Sequence, residues 1–119
     1  MSKIVKKAWG TEEWLSLDDK YCFKRITIYA GHKTSLQFHN KKMETNYLAE
    51  GEGEYTYLDS DGNKKVEKIS PGFSVYLKPG EIHRFAAISD IVLFEASTPE
   101  VDDVVRLEDS YGREGTSEP

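Results

Sequence analysis

An all-β fold, built as a sandwich or small barrel, follows from three features of this 119-residue sequence. Apolar residues alternate at a period of two almost throughout, Gly, Pro, Asp and Asn break the alternation at short intervals, and no extended stretch keeps a helical stripe. Many short strands at such spacing close into a sandwich or barrel. Strands are predicted over residues 13–17, 21–29, 34–39, 45–50, 54–58, 65–69, 73–77, 83–87 and 91–97. The break before 65–69 is Asp59-Ser60-Asp61-Gly62-Asn63, where Asp and Gly tolerate the positive φ of a tight hairpin. Across it, Tyr55 and Tyr57 are expected to pair with Val66 or Ile69. Ser70-Pro71-Gly72 and Lys78-Pro79-Gly80 lead into the next two strands, with proline presetting one corner of each turn and glycine taking the unusual dihedral at the next. Pro99 ends the last strong strand, residues 101–107 are short and mixed, and 114–119 are expected to fray. With no internal repeat and no low-complexity linker, residues 1–119 read as a single domain.

The composition, 38% hydrophobic and 31% charged, supplies a core for one domain of this length and not for two. No apolar run approaches the roughly 20 residues that span a bilayer. The segment MSKIVKKAWG lacks the apolar stretch of a signal peptide, so a soluble cytoplasmic protein with no membrane partner is expected. Cys22, the one cysteine, can form neither an internal disulfide nor a thiolate cluster, which leaves His, carboxylate or amide groups to hold any metal. The net charge of −5 resides in the segment from Glu100 onward, with seven acids and two bases, while everything before it is neutral. A neutral body offers no basic track for nucleic acid, and Lys41-Lys42 and Lys64-Lys65 read as solvated turns.

The chemistry is concentrated in Gly31-His32-Lys33-Thr34-Ser35-Leu36-Gln37-Phe38-His39, followed by Glu44 and Gly51. Residues two apart on a strand share a face, so Gln37 and His39 project together while Phe38 turns away. Glu44, at the start of the next strand, can add a carboxylate oxygen, and His83, just after the Pro79-Gly80 turn, a second imidazole from a distant strand. Such a mixed nitrogen and oxygen set suits one divalent transition metal (Zn, Mn, Fe, Co or Ni) better than calcium or a thiolate-loving ion. His32 has no partner at ligand spacing and is left out of the site. Arg84 is expected to point away from His83 into an edge or interface ion pair. Glu95 faces opposite to Phe94 and Ala96, either inward as an acid–base group or outward to solvent. Trp9, Trp14, Tyr47, Tyr76 and Phe85 read as core or interface.

These residues resemble the cupin family. Gly31, Gln37-x-His39, Glu44 and Gly51 are similar to its first motif, and Gly72 with Pro79-Gly80-x-x-His83 to its second. Nearly the whole chain resembles the phosphomannose isomerase-like cupins that are often fused behind a mannose-1-phosphate guanylyltransferase. The similar segments are Trp9-Gly10, Ser35-Leu36-Gln37-Phe38-His39 and the acidic stretch from Asp103 to Arg113. The resemblance implies a jelly-roll barrel, or double-stranded β-helix, whose mouth holds the metal through Gln37, His39, Glu44 and His83. It also implies aldose–ketose isomerisation of a sugar phosphate, with the metal polarising sugar oxygens while a base moves a proton through an enediol. Lys42, two before Glu44, is similar to the lysine of the Lys-Pro-Glu motif in the larger phosphomannose isomerases. Lys42 and Glu95 are therefore the candidate catalytic residues. The chain departs from the guanylyltransferase-linked pattern at Thr45-Asn46, where His-Trp is usual, and at Glu95-Ala96-Ser97, where Glu-Val-Gln is usual.

Three functions fit this reading: a sugar-phosphate isomerase, an iron-type oxygenase or other metal chemistry on the same barrel, and a non-catalytic carbohydrate-binding or sensing module. A hexose phosphate needs cations near the mouth, for which Lys24, Lys33 and Lys42 are the candidates. Open sheet edges predict a homodimer, with the Trp9 to Trp14 segment as an interface strand.

Overall fold

The computed structural model describes residues 2–116. Its strands are β1 (Lys3–Lys7), β2 (Gly10–Leu17), β3 (Cys22–Ile28), β4 (Leu36–Phe38), β5 (Glu44–Glu50), β6 (Gly53–Leu58), β7 (Lys64–Ile69), β8 (Ser74–Leu77), β9 (His83–Ala87), β10 (Ile91–Ser97) and β11 (Val105–Glu108). They form two sheets, in the orders β1-β2-β3-β10-β5-β8 and β11-β4-β9-β6-β7, with every pairing antiparallel. This is the all-β architecture that the period-two alternation predicts, in the jelly-roll form that the cupin resemblance implies. Among the described residues, no helix is long and apolar enough to cross a membrane.

The inner face of the six-stranded sheet is stratified. In β3, β10 and β5, Leu93 lies opposite both Ile26 and Leu48, and together with Ile28 and Ile91 these side chains are buried in the core. Two residues further along each strand the same inward face turns polar, with Glu95 opposite Lys24 and Asn46. One more step brings Ser97 opposite Cys22 and Glu44. Trp9, Tyr55, Ile69 and Phe85 complete the apolar end. Because strand side chains alternate strictly, aligned changes of residue type on neighbouring strands separate a dry core from a polar chamber.

Several expectations need correction. β1 was not predicted, since its lysines mask a short edge strand that pairs with β2. β2 lies between β1 and β3, so the Trp9 to Trp14 segment is no sheet edge; Trp9 is in the core and the free edge is β1. Tyr55 and Tyr57 oppose Glu67 and Lys65, because the hairpin closes with Leu58 opposite Lys64, which sets Val66 opposite Thr56 and Ile69 opposite Gly53. β11 arises within the mixed segment after Pro99, beside β4. Residues 117–119 of the expected frayed end lie outside the described residues. Residues 114–116 are tied down: Thr116 N donates to the Arg113 carbonyl, and Arg106 Nη1 donates to that of Thr116 at 2.8 Å. Arg113 is itself anchored to Asp109 by side-chain bonds of 2.7 and 2.9 Å.

Gly51 sits at φ +89°, and a Cβ there would lie 2.0 Å from the Asp90 carbonyl oxygen, whereas Gly31 at φ +82° has nothing within 4 Å. Gly31→Ala should therefore lose only the left-handed backbone cost of about 1–2 kcal/mol. Gly51→Ala should lose roughly 1–3 kcal/mol more from overpacking. Urea titrations of the two variants decide the matter, and equal losses would contradict the close approach at Gly51.

Candidate metal centre

The pairing of β4 with β9 sets Gln37 opposite His83, and His39 follows directly on β4. Glu44 opens β5 on the other sheet, with its side chain in the same chamber. One donor atom from each of His39, Glu44 and His83 falls within 4.8 Å of the others, and all three residues are buried. His39 Nδ1 lies 2.5 Å from the Asp103 carbonyl oxygen and His83 Nδ1 lies 3.0 Å from that of Glu81. A carbonyl only accepts, so each Nδ1 carries a proton, and a ring whose other nitrogen is unprotonated keeps the Nε2 lone pair for another partner. His39 Nε2 is buried without a hydrogen-bond partner, although Glu44 Oε1 is 2.6 Å away, because the pair is not aligned as a hydrogen bond. Glu44 Oε2 accepts from Asn46 Nδ2 at 2.7 Å, which leaves Oε1 facing the imidazole. Gln37 lines the same chamber, its Oε1 accepting from Ser35 Oγ at 2.6 Å.

These residues fit a divalent transition metal. Two imidazole nitrogens with their opposite nitrogens held by carbonyls, one orphaned buried Nε2 and a nearby carboxylate oxygen are the features such an ion satisfies. The electrostatics agree. Burial holds His83 below the usual histidine range despite Glu44, which keeps it neutral. Burial also pushes on Glu44, but Lys42 and the His39 contact outweigh it and hold the carboxyl well below its ordinary range.

Asp103 fastens the loop after His39. Its carboxylate accepts the backbone N–H groups of Asn40, Lys41 and Lys42 at 3.1, 2.7 and 3.0 Å, while its carbonyl accepts from His39. One residue of the C-terminal segment thus orients a candidate ligand and the backbone of a candidate catalytic lysine.

A chain of alternating charges runs from this centre across the polar layer. Lys42 Nζ is 3.9 Å from Glu44 Oε1 and 3.0 Å from Glu95 Oε2. Lys24 Nζ is 4.0 Å from Glu95 Oε2 and 3.1 Å from Glu12 Oε1, and Lys7 Nζ reaches Glu12 Oε2 at 4.0 Å. Trp14 Nε1 also donates to Glu12, at 2.9 Å. Burial and the charge of Glu44 push Glu95 up to about 7, against Lys42 and Lys24. Lys42, despite its burial, is held above its usual range by Glu95 and Glu44.

Of the residues singled out in the sequence, Gln37, His39, Lys42, Glu44, His83, Glu95 and Lys24 line one chamber. Glu95 faces inward, while Phe94 turns outward and stacks on Phe23. Lys33 does not line it and sits beside Ala86 in an isolated backbone bridge. His32 lies outside, its Nδ1 2.7 Å from the Tyr111 hydroxyl, and Arg84 reaches the Thr34 carbonyl and Glu108. Lys7, Glu12, Asn46, Asp103 and Arg106 also line the chamber and were not anticipated. Asn46 was within reach, being two residues from Glu44 on one strand, the same spacing that joined Gln37 to His39. The enclosed volume is about 80 Å³, with Val101, Asp103, Val104 and Arg106 of the C-terminal segment among its walls. A separate open cleft of about 640 Å³ lies between the β6–β7 hairpin and β8, walled by Tyr55, Tyr57, Phe73 and Tyr76.

Residues 24–95, more than half of the chain, match the Cupin domain family. The chain belongs to the cupins. A curated relative, the mannose-1-phosphate guanylyltransferase ManC of Salmonella typhimurium, is 30% identical over 118 residues, which cover 95% of this cupin but 24% of the relative. The chain thus spans about a quarter of the length of the curated relatives it matches. Among solved structures, the capsular polysaccharide assembling protein CapF of Staphylococcus aureus superposes with a TM-score of 0.78 at 15% identity, over 92% of this chain and 33% of that one. A Bacillus subtilis oxalate decarboxylase with Mn(II) centers gives 0.72 at 17% identity, over 88% and 30% of the two chains. At these identities the structural likeness establishes the shared cupin fold.

The raised Glu95 has a measurable consequence in metal-free protein. Its carboxyl should titrate by 13C NMR near 7 instead of 4.5, and Lys42→Met should move the midpoint higher still. A folded value above the unfolded one means that stability attributable to Glu95 is intact below about 4.5 and is lost as pH rises toward about 7, by roughly 1–3 kcal/mol. A titration near 4.5 would show that Glu95 is not enclosed by these charges.

Proposed function

We propose that this cupin is a metal-dependent isomerase that interconverts the aldose and ketose forms of a sugar phosphate. The reading is carried by the Lys42–Glu95 pair, 3.0 Å apart, buried beside the candidate metal ligands. Isomerisation requires a group that takes a proton from one carbon and returns it to the next at neutral pH, passing through an enediol. Glu95, poised near 7 in the metal-free site, is that proton carrier. Lys42, held protonated by Glu95 and Glu44, is a fixed cation and donor for the oxygen that gains charge. Gln37, His39, Glu44 and His83 would hold the ion, one of Zn, Mn, Fe, Co or Ni, with Asn46 fixing the Glu44 carboxylate through Oε2. When bound, the metal supplies polarisation of the sugar's carbonyl and hydroxyl oxygens.

Similarity to a mannose-1-phosphate guanylyltransferase supports a phosphorylated sugar as the substrate class, while guanylyl transfer itself is not assigned to this quarter-length match. The chamber of about 80 Å³ is well below the roughly 300 Å³ at which ligand pockets begin, so it must widen to admit a hexose phosphate. That size also favours a second reading, metal chemistry on a small substrate such as dioxygen or a short acid. The exposed edges β1 and β8 fit a homodimer.

Metal-stripped protein re-loaded in turn with Zn, Mn, Co and Fe should convert mannose 6-phosphate to fructose 6-phosphate, and His39→Ala should abolish both tight metal binding and turnover. Glu95→Gln should lower kcat by about 10²-fold or more with metal content unchanged. No turnover with any ion, alongside stoichiometric binding, would discard the isomerase and leave the small-substrate reading. In competition with a chelator, Asp103→Ala should weaken metal affinity about 10–100-fold through the loss of loop support; unchanged affinity would remove Asp103 from the centre.

A further inference from the structure

At the other end of the charge chain from Glu44, cations gather where the β1–β2 edge of one sheet faces β11 of the other. Lys7, at the end of β1, and Lys24, on β3, share Glu12 as a carboxylate partner. Arg106, on β11, lines the same chamber, with its Nη1 on the Thr116 carbonyl. The Lys7 side chain is 15% exposed, so its ammonium is largely withdrawn from water. Burial holds Lys7 below the usual lysine range against the pull of Glu12, and the nearby charges of Lys24, Arg106 and Arg113 push it further down. Arg113 is matched by its two side-chain bonds to Asp109. Lys24 has its short contact with Glu12, and Lys7 has only the 4.0 Å approach to the same carboxylate.

The charge of the whole chamber points the same way. With Glu95 ionised, its lining sets Lys7, Lys24, Lys42 and Arg106 against Glu12, Glu44, Glu95 and Asp103, beside the imidazoles of His39 and His83. A divalent ion at the His39 end raises that balanced set to an excess of two positive charges in an enclosed, low-dielectric space, where uncompensated charge is costly. A ligand bringing two negative charges restores the balance. Seated beside Lys7 and Arg106, its anionic group would lie at the opposite end of the charge chain from the metal ligands, leaving the Lys42–Glu95 pair between them.

We propose that Lys7, Lys24 and Arg106 form the seat for the phosphomonoester dianion of the substrate, so that the sugar spans the chamber from this seat to Lys42 and Glu95. The inference rests on the isomerase reading for the identity of the sugar, but the anion seat itself can be tested apart from turnover.

Calorimetric titration of the full, metal-loaded chain with inorganic phosphate, and separately with mannose 6-phosphate and mannose, is the experiment, at constant ionic strength set with chloride. Lys7 is on an edge strand, so Lys7→Met should fold; it should weaken binding of phosphate and of mannose 6-phosphate at least tenfold and leave mannose unchanged. Lys7→Arg should restore most of the loss. Equal phosphate affinity in Lys7→Met and the unaltered chain overturns the seat, as does a loss shared equally by mannose. Phosphate binding that depends on Lys7 without any isomerase turnover supports the seat while discarding the isomerase. Turnover whose KM for mannose 6-phosphate ignores Lys7 overturns the seat and leaves the isomerase standing.

Discussion

Two lysines and three glutamates are buried in one alternating row, Glu12, Lys24, Glu95, Lys42 and Glu44, and the rest of the chamber is arranged around them. An isolated charge taken from water costs several kcal/mol, and only close opposite neighbours offset that cost. Each member of the row has such neighbours, contributed by β2, β3, β10, β5 and the loop before β5. The row therefore acts on strand register as strongly as the apolar core does. A slip of one residue in β10 would turn Glu95 out and Phe94 in, stranding Lys42 and Lys24 together without the carboxylate between them.

Stability and chemistry are kept apart along the strands. Ile91 and Leu93 belong to the same strand as Glu95, and Leu48 to the same strand as Glu44, yet the apolar members pack at one end and the charged members at the other. This division lets the chamber hold groups that a core would reject. The C-terminal segment closes the chamber and also supports it, since Asp103 holds the loop from Asn40 to Lys42 while Val104 and Arg106 form part of the wall.

The fold was legible in the sequence because period-two alternation and Gly-Pro punctuation report local geometry directly. The candidate ligands could be picked out for a similar reason: Gln37 and His39 are two apart in sequence, and His83 follows a Pro-Gly turn. Resemblance to the cupins supplied the grouping of these sequence-distant residues. What escaped was set by non-local partners. Glu12 looks like a solvent-facing charge until the register of β2 and β3 brings it beside Lys24, and Glu95 could be placed inside only once Lys24 and Asn46 were known to flank it. The partners of Tyr55 and Tyr57 turned on where the loop from Asp59 to Asn63 closes, which composition does not determine.

The bond from His39 Nδ1 to the carbonyl of Asp103 joins residues 64 apart in the chain. During synthesis, which runs from the N-terminus at about 5–20 residues per second, His39, Glu44 and His83 all emerge before Asp103 does. Until then the His39 imidazole is free to protonate on either nitrogen and the loop behind it has no anchor. The nascent chain thus carries its candidate metal ligands before it carries the group that orients one of them, and the site is complete only once the segment around Asp103 has folded back.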